Sequence, residues 1–175
     1  MKVFASTLFV ICLLFVLPSR QSFLSGASAA SFSESDINKL IHIWYGSVQR
    51  FGHVGEPQRW INVLGNITAP DKVSEVVYSI NGRAEQPLTL GSDRHRLAEP
   101  GEFNVELGWD EVEAGENILV ITARTKEGAA RSKTVTLWVE RGNTWPLPYH
   151  VDFTKVKTLQ DVVQIVDGHW RLAEG

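Results

Sequence analysis

The sequence predicts an all-β domain, an antiparallel sandwich of two sheets followed by an extended C-terminal tail. Three observations predict it. Apolar residues alternate with polar ones in six short stretches between residues 40 and 140. Turn-forming Gly, Pro, Asn and Asp stand between those stretches, and nothing in this region has a helical period. Short strands punctuated in this way close into two packed sheets rather than into alternating strand–helix units.

The elements follow in order. Ile41, Ile43 and Tyr45 alternate with His42 and Trp44, and the same two-residue period recurs at 60–64, 76–80, 103–107, 117–123 and 132–139. The breaks are Gly52, Gly55-Glu56-Pro57, Ala69-Pro70-Asp71, Asn81-Gly82, Pro100-Gly101, Ala114-Gly115 and Lys126-Glu127-Gly128. The domain is therefore expected over residues 40–141, after a small, polar, flexible leader at 31–39 and before a linker and tail at 142–175.

The first thirty residues give the compartment. Met1-Lys2 supplies one positive charge, 3–17 is an almost unbroken apolar run, Pro18 ends it, and Ala27-Ser28-Ala29 offers small residues for a signal peptidase. About 15 apolar residues fall short of the roughly 20 needed to span a bilayer as a helix, so 1–30 is read as a signal peptide rather than an anchor. The protein is accordingly expected to be secreted, periplasmic or on the cell surface, and not transmembrane after cleavage. Cleavage removes Cys12, the only cysteine, so the mature chain has no disulfide, no thiolate metal site and no cysteine nucleophile. Export without disulfides fits a Gram-negative bacterial product.

Lys2 and Arg20 leave with the leader, so the 17 Lys+Arg of the whole chain fall to 15 against 20 Asp+Glu, a net side-chain charge of about −5. No basic stripe forms. Nucleic acid and anionic membranes, which are bound by clustered Lys and Arg, are poor partners for such a chain. About 145 residues remain, enough for one domain with a core and a tail.

The most specific local pattern lies at 115–139. Gly115-Glu116-Asn117 precedes Leu119, Ile121 and Ala123 on one face, residues 126–131 turn the chain, and Val135, Leu137 and Val139 return on one face. This hairpin resembles the last two strands of immunoglobulin-like and fibronectin-type modules of bacterial secreted proteins, and the resemblance covers residues 40–140. It implies an Ig-like sandwich and little about function. The tail carries a second resemblance. Asn143-Thr144-Trp145-Pro146-Leu147-Pro148-Tyr149, Asp161-Val162-Val163-Gln164 and Asp167-Gly168-His169-Trp170 look like the segment that joins such a module to a concanavalin A-like lectin or glucanase jelly roll. That resemblance implies that Asp167-Gly168-His169-Trp170 opens the first strand of a jelly roll, although the sequence runs only to Gly175. Two outcomes are expected of it: a fragment that stops before the second domain, or a tail that folds back on the sandwich.

On the 115–139 hairpin, the face opposite Leu119 and Leu137 carries Ile118, Val120 and Trp138, where an exposed face would be polar. These three residues are the candidate interface, to be covered by a partner, by loops or by the aromatic tail.

Motifs that carry chemistry are weak. His42, His53, His95, His150 and His169 lack the three- or four-residue spacing of a helical metal site. No cofactor site, nucleophile elbow, phosphate loop or metalloprotease signature is present in the sequence. Asp93-Arg94-His95-Arg96 reads as a salt-bridged turn. Glu99, Glu102, Asp110 and Glu111 fall at strand ends and lack the opposed placement a glycosidase pair needs. Aromatic content is the one positive signal, since flat rings stack on sugar faces. Trp60, on a strand, is assigned to the core. Trp109 in a turn, Trp44 and Trp145 are the candidate ligand-binding residues, with a polysaccharide or a following jelly-roll domain as partner. Asn66-Ile67-Thr68 fits a glycosylation sequon and is read as strand-end sequence. The expected function is a non-catalytic accessory or spacer module of a secreted, carbohydrate-associated protein. The alternatives are the N-terminal part of a glycan-degrading enzyme and a self-associating surface module.

Overall fold

The computed structural model describes residues 39–56, 58–142 and 148–173, all within one compact unit, Phe32–Gly175. Residues 1–30, expected to be a signal peptide, residues 31–38 of the expected leader and Trp145 lie outside the described residues.

The fold is all-β, with two sheets packed as a sandwich. Eight strands are described: β1 (Ile41–Ile43), β2 (Val48–Phe51), β3 (Trp60–Ile67), β4 (Val73–Ile80), β5 (Gln86–Pro87), β6 (Glu102–Gly108), β7 (Gly115–Thr125) and β8 (Ala130–Val139). One sheet has the order β1-β3-β6 and the other β2-β8-β7-β4-β5. Pairing is antiparallel apart from β2, which runs parallel to β8. The expected hairpin is β7–β8, registered from Gly115↔Val139 to Arg124↔Ala130.

Alternation builds the core. Ile61, Val63 and Ile67 of β3, with Phe103, Val105 and Leu107 of β6, face Val76 and Ile80 of β4, Leu119, Ile121 and Ala123 of β7 and Val135, Leu137 and Val139 of β8. Each of these side chains other than Ala123 contributes about 1.5–3 kcal/mol by leaving water. The inward set on β3 is odd-numbered, so Trp60 points outward instead of into the core, and the Arg59 guanidinium sits 5.1 Å over its ring. Side chains on one strand alternate between faces, and Ile61 and Trp60 cannot both be inside.

Polar groups inside the sandwich are satisfied by turns. Asn117 is only 1% exposed. Its amide donates to the Glu113 and Gly115 carbonyls, and its Oδ1 accepts from the Glu113 N–H (2.7 Å) and Asn81 Nδ2 (2.8 Å). It thus ties the turn into β7 to the turn after β4. Gln49 of β2 is buried and donates to the Gly46 carbonyl. Among the described residues, no helix is long and apolar enough to cross a membrane.

Candidate functional site

The tail at 148–173 contains no described strand, only the one-turn 3-10 segments Phe153–Lys155 and Leu159–Asp161. It folds back on the sandwich. The segment Asp167-Gly168-His169-Trp170 forms a turn rather than a strand: Asp167 Oδ1 accepts from Gly168 N–H, its carbonyl accepts from Trp170 Nε1, and Gly168 adopts φ +76. A positive φ of this kind is open to glycine at little cost.

Three loops and one sheet face receive the tail. Tyr45, between β1 and β2, donates its hydroxyl to the Gly168 carbonyl at 2.6 Å and accepts from Trp170 N–H at 2.8 Å. Burial raises the Tyr45 phenol above its ordinary value, and the Asp167 charge adds to the rise against the lowering effect of the Trp170 N–H. The Gln160 carbonyl accepts from His53 Nε2 at 2.8 Å while Gln160 Nε2 donates to the Tyr45 carbonyl. Gln164 Oε1 accepts from Gly52 N–H at 3.3 Å. The Trp44 ring stacks on His169, centroids 4.8 Å apart and planes 17° apart.

Arg96 links the tail to the three-stranded sheet. Its guanidinium donates to the Val166 carbonyl and Asn62 Oδ1, both at 3.1 Å, and pairs with Glu106. Asn62 and Leu64 lie on the outer side of β3, yet they are 3% and 1% exposed. Asn104 Nδ2 also donates to Asn62 Oδ1. A strand buried on both faces needs cover on both. The core supplies one cover, and the tail with Arg96 stands over the other.

The other side of the tail is open. Phe153, Val156, Leu159, Val163, Trp170 and Leu172 line a cavity of about 1450 Å³, and Trp170 is 65% exposed.

The aromatic candidates divide accordingly. Trp44 is half-buried and presents one ring face to His169, with its Nε1 donating to Asn66 Oδ1. Trp109 is packed against the core instead of standing free in its turn, donates to the Gln58 carbonyl, and has the Arg141 guanidinium 5.9 Å over its ring. Trp145 lies outside the described residues. Among the described residues, the exposed Trp, Tyr and Phe rings are those of Trp60, Trp138, Tyr149, Phe153 and Trp170. Ile118 and Trp138 stand exposed on the outer face of the five-stranded sheet beside half-buried Val120. The hydrogen bonds that hold the tail lead to Tyr45, Gly52, His53 and Arg96, away from that face.

The acidic candidates shape turns. Glu111 Oε2 accepts from Gly108 N–H, and Glu102 Oε2 accepts from Glu99 N–H. Asp93 Oδ1 gathers the N–H groups of His95, Arg96 and Leu97, which hold its carboxyl below the ordinary range. This Asp93 turn aims Arg96 at the tail. No group of three or more His, Cys, Asp or Glu among the described residues is placed to hold a metal ion. His53, Arg96, Gln160 and Gln164 have no periodic signature in the sequence, because loops and backbone carbonyls form the contact; Tyr45 falls in the alternating stretch at 41–45, which gives no sign of its role in the tail contact. Neither a protein-family model nor a characterised protein matches the chain.

Proposed function

We propose that the chain is a non-catalytic accessory or spacer module of a secreted, carbohydrate-associated protein, built on an Ig-like sandwich. The order β1-β3-β6 against β2-β8-β7-β4-β5 supports the Ig-like part of that reading. One observation carries the rest. The tail is fastened to the sandwich at Tyr45, Gly52, His53 and Arg96 while its far side presents an apolar cavity. A flexible linker would let a neighbouring domain turn freely, whereas a fastened strap transmits orientation. The cavity combines the exposed ring of Trp170 with Gln164, Asp167 and Arg171, a mixture that suits sugar rings or the surface of a following domain.

A binding screen of the full chain on immobilised polysaccharides, with release of reducing sugar followed in parallel, tests this. Retention without sugar release, weakened in Trp170→Ala, is the expected result. Sugar release would overturn the non-catalytic reading. Absence of retention would remove the carbohydrate part and leave the spacer.

A further inference from the structure

The outer face of the five-stranded sheet has an internal order of its own. Register places Val48, Thr136 and Ile118 in one row across β2, β8 and β7, and Arg50, Trp138 and Glu116 in the next row on the same face. Val120 and Thr134 form a further row beside Ser79 of β4. Val48 is 61% and Trp138 43% exposed. The rows between Trp138 and Arg124 are threonine, serine and aliphatic, and Arg124 at the far end is paired with Glu75 and Glu85. Charge is thus confined to the two ends of the face, with apolar and hydroxyl groups between, as in the depleted centre of an interface.

We infer that this face is the interface of a two-fold homodimer, in which two copies pack sheet on sheet with the axis running along β8. The charge pattern selects that occupant. A two-fold rotation about an axis parallel to β8 exchanges the flanking strands, so β2 of one copy faces β7 of the other. Arg50 then meets Glu116 of the second copy at one row, and Val48 meets Ile118 at the next. Trp138 and Thr136, lying near the axis, meet their own counterparts. Arg50 already has Glu140 at 2.5 Å within its chain, whereas Glu116 has no ion pair among the described residues. The Arg50–Glu116 and Val48–Ile118 contacts each occur twice, related by the axis, as an isologous interface requires.

With the axis along β8, the three strands β2, β8 and β7 face their counterparts, a strip about 14 Å wide. Strands β7 and β8 have 11 and 10 residues but β2 only 4, so the contact falls at the small, weakly associating end of the size range. Aligned sheets pack about 10 Å apart, room enough for the Trp138 rings to stack with an offset.

Sedimentation velocity of the full chain over a wide concentration range tests the dimer. The expected result is a monomer–dimer equilibrium in which Trp138→Lys raises the dissociation constant by at least about tenfold. Arg50→Glu and Glu116→Arg should each weaken association, and combining the two should restore most of the loss because the exchanged charges meet again. All three positions changed are exposed, and an unaltered thermal melt of each variant confirms that the sandwich is intact. A chain that stays monomeric at every concentration overturns the inference. So does a dimer indifferent to Trp138→Lys, or a charge-swapped pair no better than its single variants.

Discussion

The Tyr45 hydroxyl holds both sides of one turn, donating to the Gly168 carbonyl at 2.6 Å and accepting from Trp170 N–H at 2.8 Å. A single side chain, 123 residues away from Gly168 in sequence, thereby closes the tail on the sandwich. Tyr45→Phe removes both bonds and leaves the Trp44–His169 stack in place. Two net hydrogen bonds amount to about 1–3 kcal/mol. The expected outcome is local: faster protease cleavage within 160–173, with little change in the melting of the sandwich. Equal cleavage of the two proteins would show that Tyr45 does not hold the turn.

Alkaline pH acts on the same bond. Burial, then the Asp167 charge, raises the docked Tyr45 phenol above its ordinary value of 10.0. The released tail exposes a phenol that ionises first. Docking is therefore complete below pH 10.0 and weakens as pH climbs from there through the raised docked value. Burial raises the Tyr78 phenol as well, with Glu111 adding to it, so the sandwich itself loosens in the same direction. Methyl resonances of Val166 and Leu172 separate the two events, since they report on the tail alone. The tail signals should shift over this alkaline range in the parent, and Tyr45→Phe should abolish that shift while leaving the core signals to follow Tyr78.

Asn117 offers a test of a buried polar hub of the core. Removing its amide leaves the Glu113 N–H and the Asn81 amide without partners inside the fold, and buried donors left unpaired cost about 1–3 kcal/mol each. Asn81 in turn accepts from Ile118 N–H at 2.8 Å, so both turns loosen together. Asn117→Ala should lower stability by about 2–4 kcal/mol. Urea unfolding reads this as a lower midpoint with an unchanged slope. A loss under about 0.5 kcal/mol would mean that water replaces the amide without cost.

Much of the sandwich was legible because its strands carry large apolar groups every second residue. Leu119, Ile121 and Ala123 against Val135, Leu137 and Val139 is such a case, and the expected hairpin is β7–β8. Strand β2 was hidden for the opposite reason: its inward positions are Gln49 and Phe51 and its outward ones Val48 and Arg50. The polarity pattern that marks a strand is half inverted there, and only its parallel pairing with β8 makes Gln49 an interior residue. Trp60 was misplaced because size alone says nothing of phase. The tail contact could not be read from the sequence, since Gly168, Gln160 and Val166 take part through carbonyls that every residue has. One trace was present: Ile61-Asn62-Val63-Leu64 runs nearly without a break, as strands covered on both faces do.

Gly65 shows where a strand refuses a better strand former. Alanine normally stabilises a strand interior relative to glycine by about 0.5–1 kcal/mol through backbone entropy. At Gly65, paired with Phe103 of β6, a Cβ would lie 2.6 Å from Phe103 Cζ and closer still to the His42 carbonyl. Phe103 is fully buried among the core side chains and cannot swing away. Forcing an extra methyl into a packed core costs about 1–3 kcal/mol, so the clash outweighs the entropic gain. Gly65→Ala should therefore destabilise the sandwich, measured by thermal or urea unfolding. The cause is separable: adding Phe103→Leu to Gly65→Ala should cost less than Phe103→Leu costs in the parent, because the shorter side chain makes room for the methyl. Strictly additive losses would place the strain at the His42 carbonyl instead, and a stabilised Gly65→Ala would show that backbone entropy governs this position.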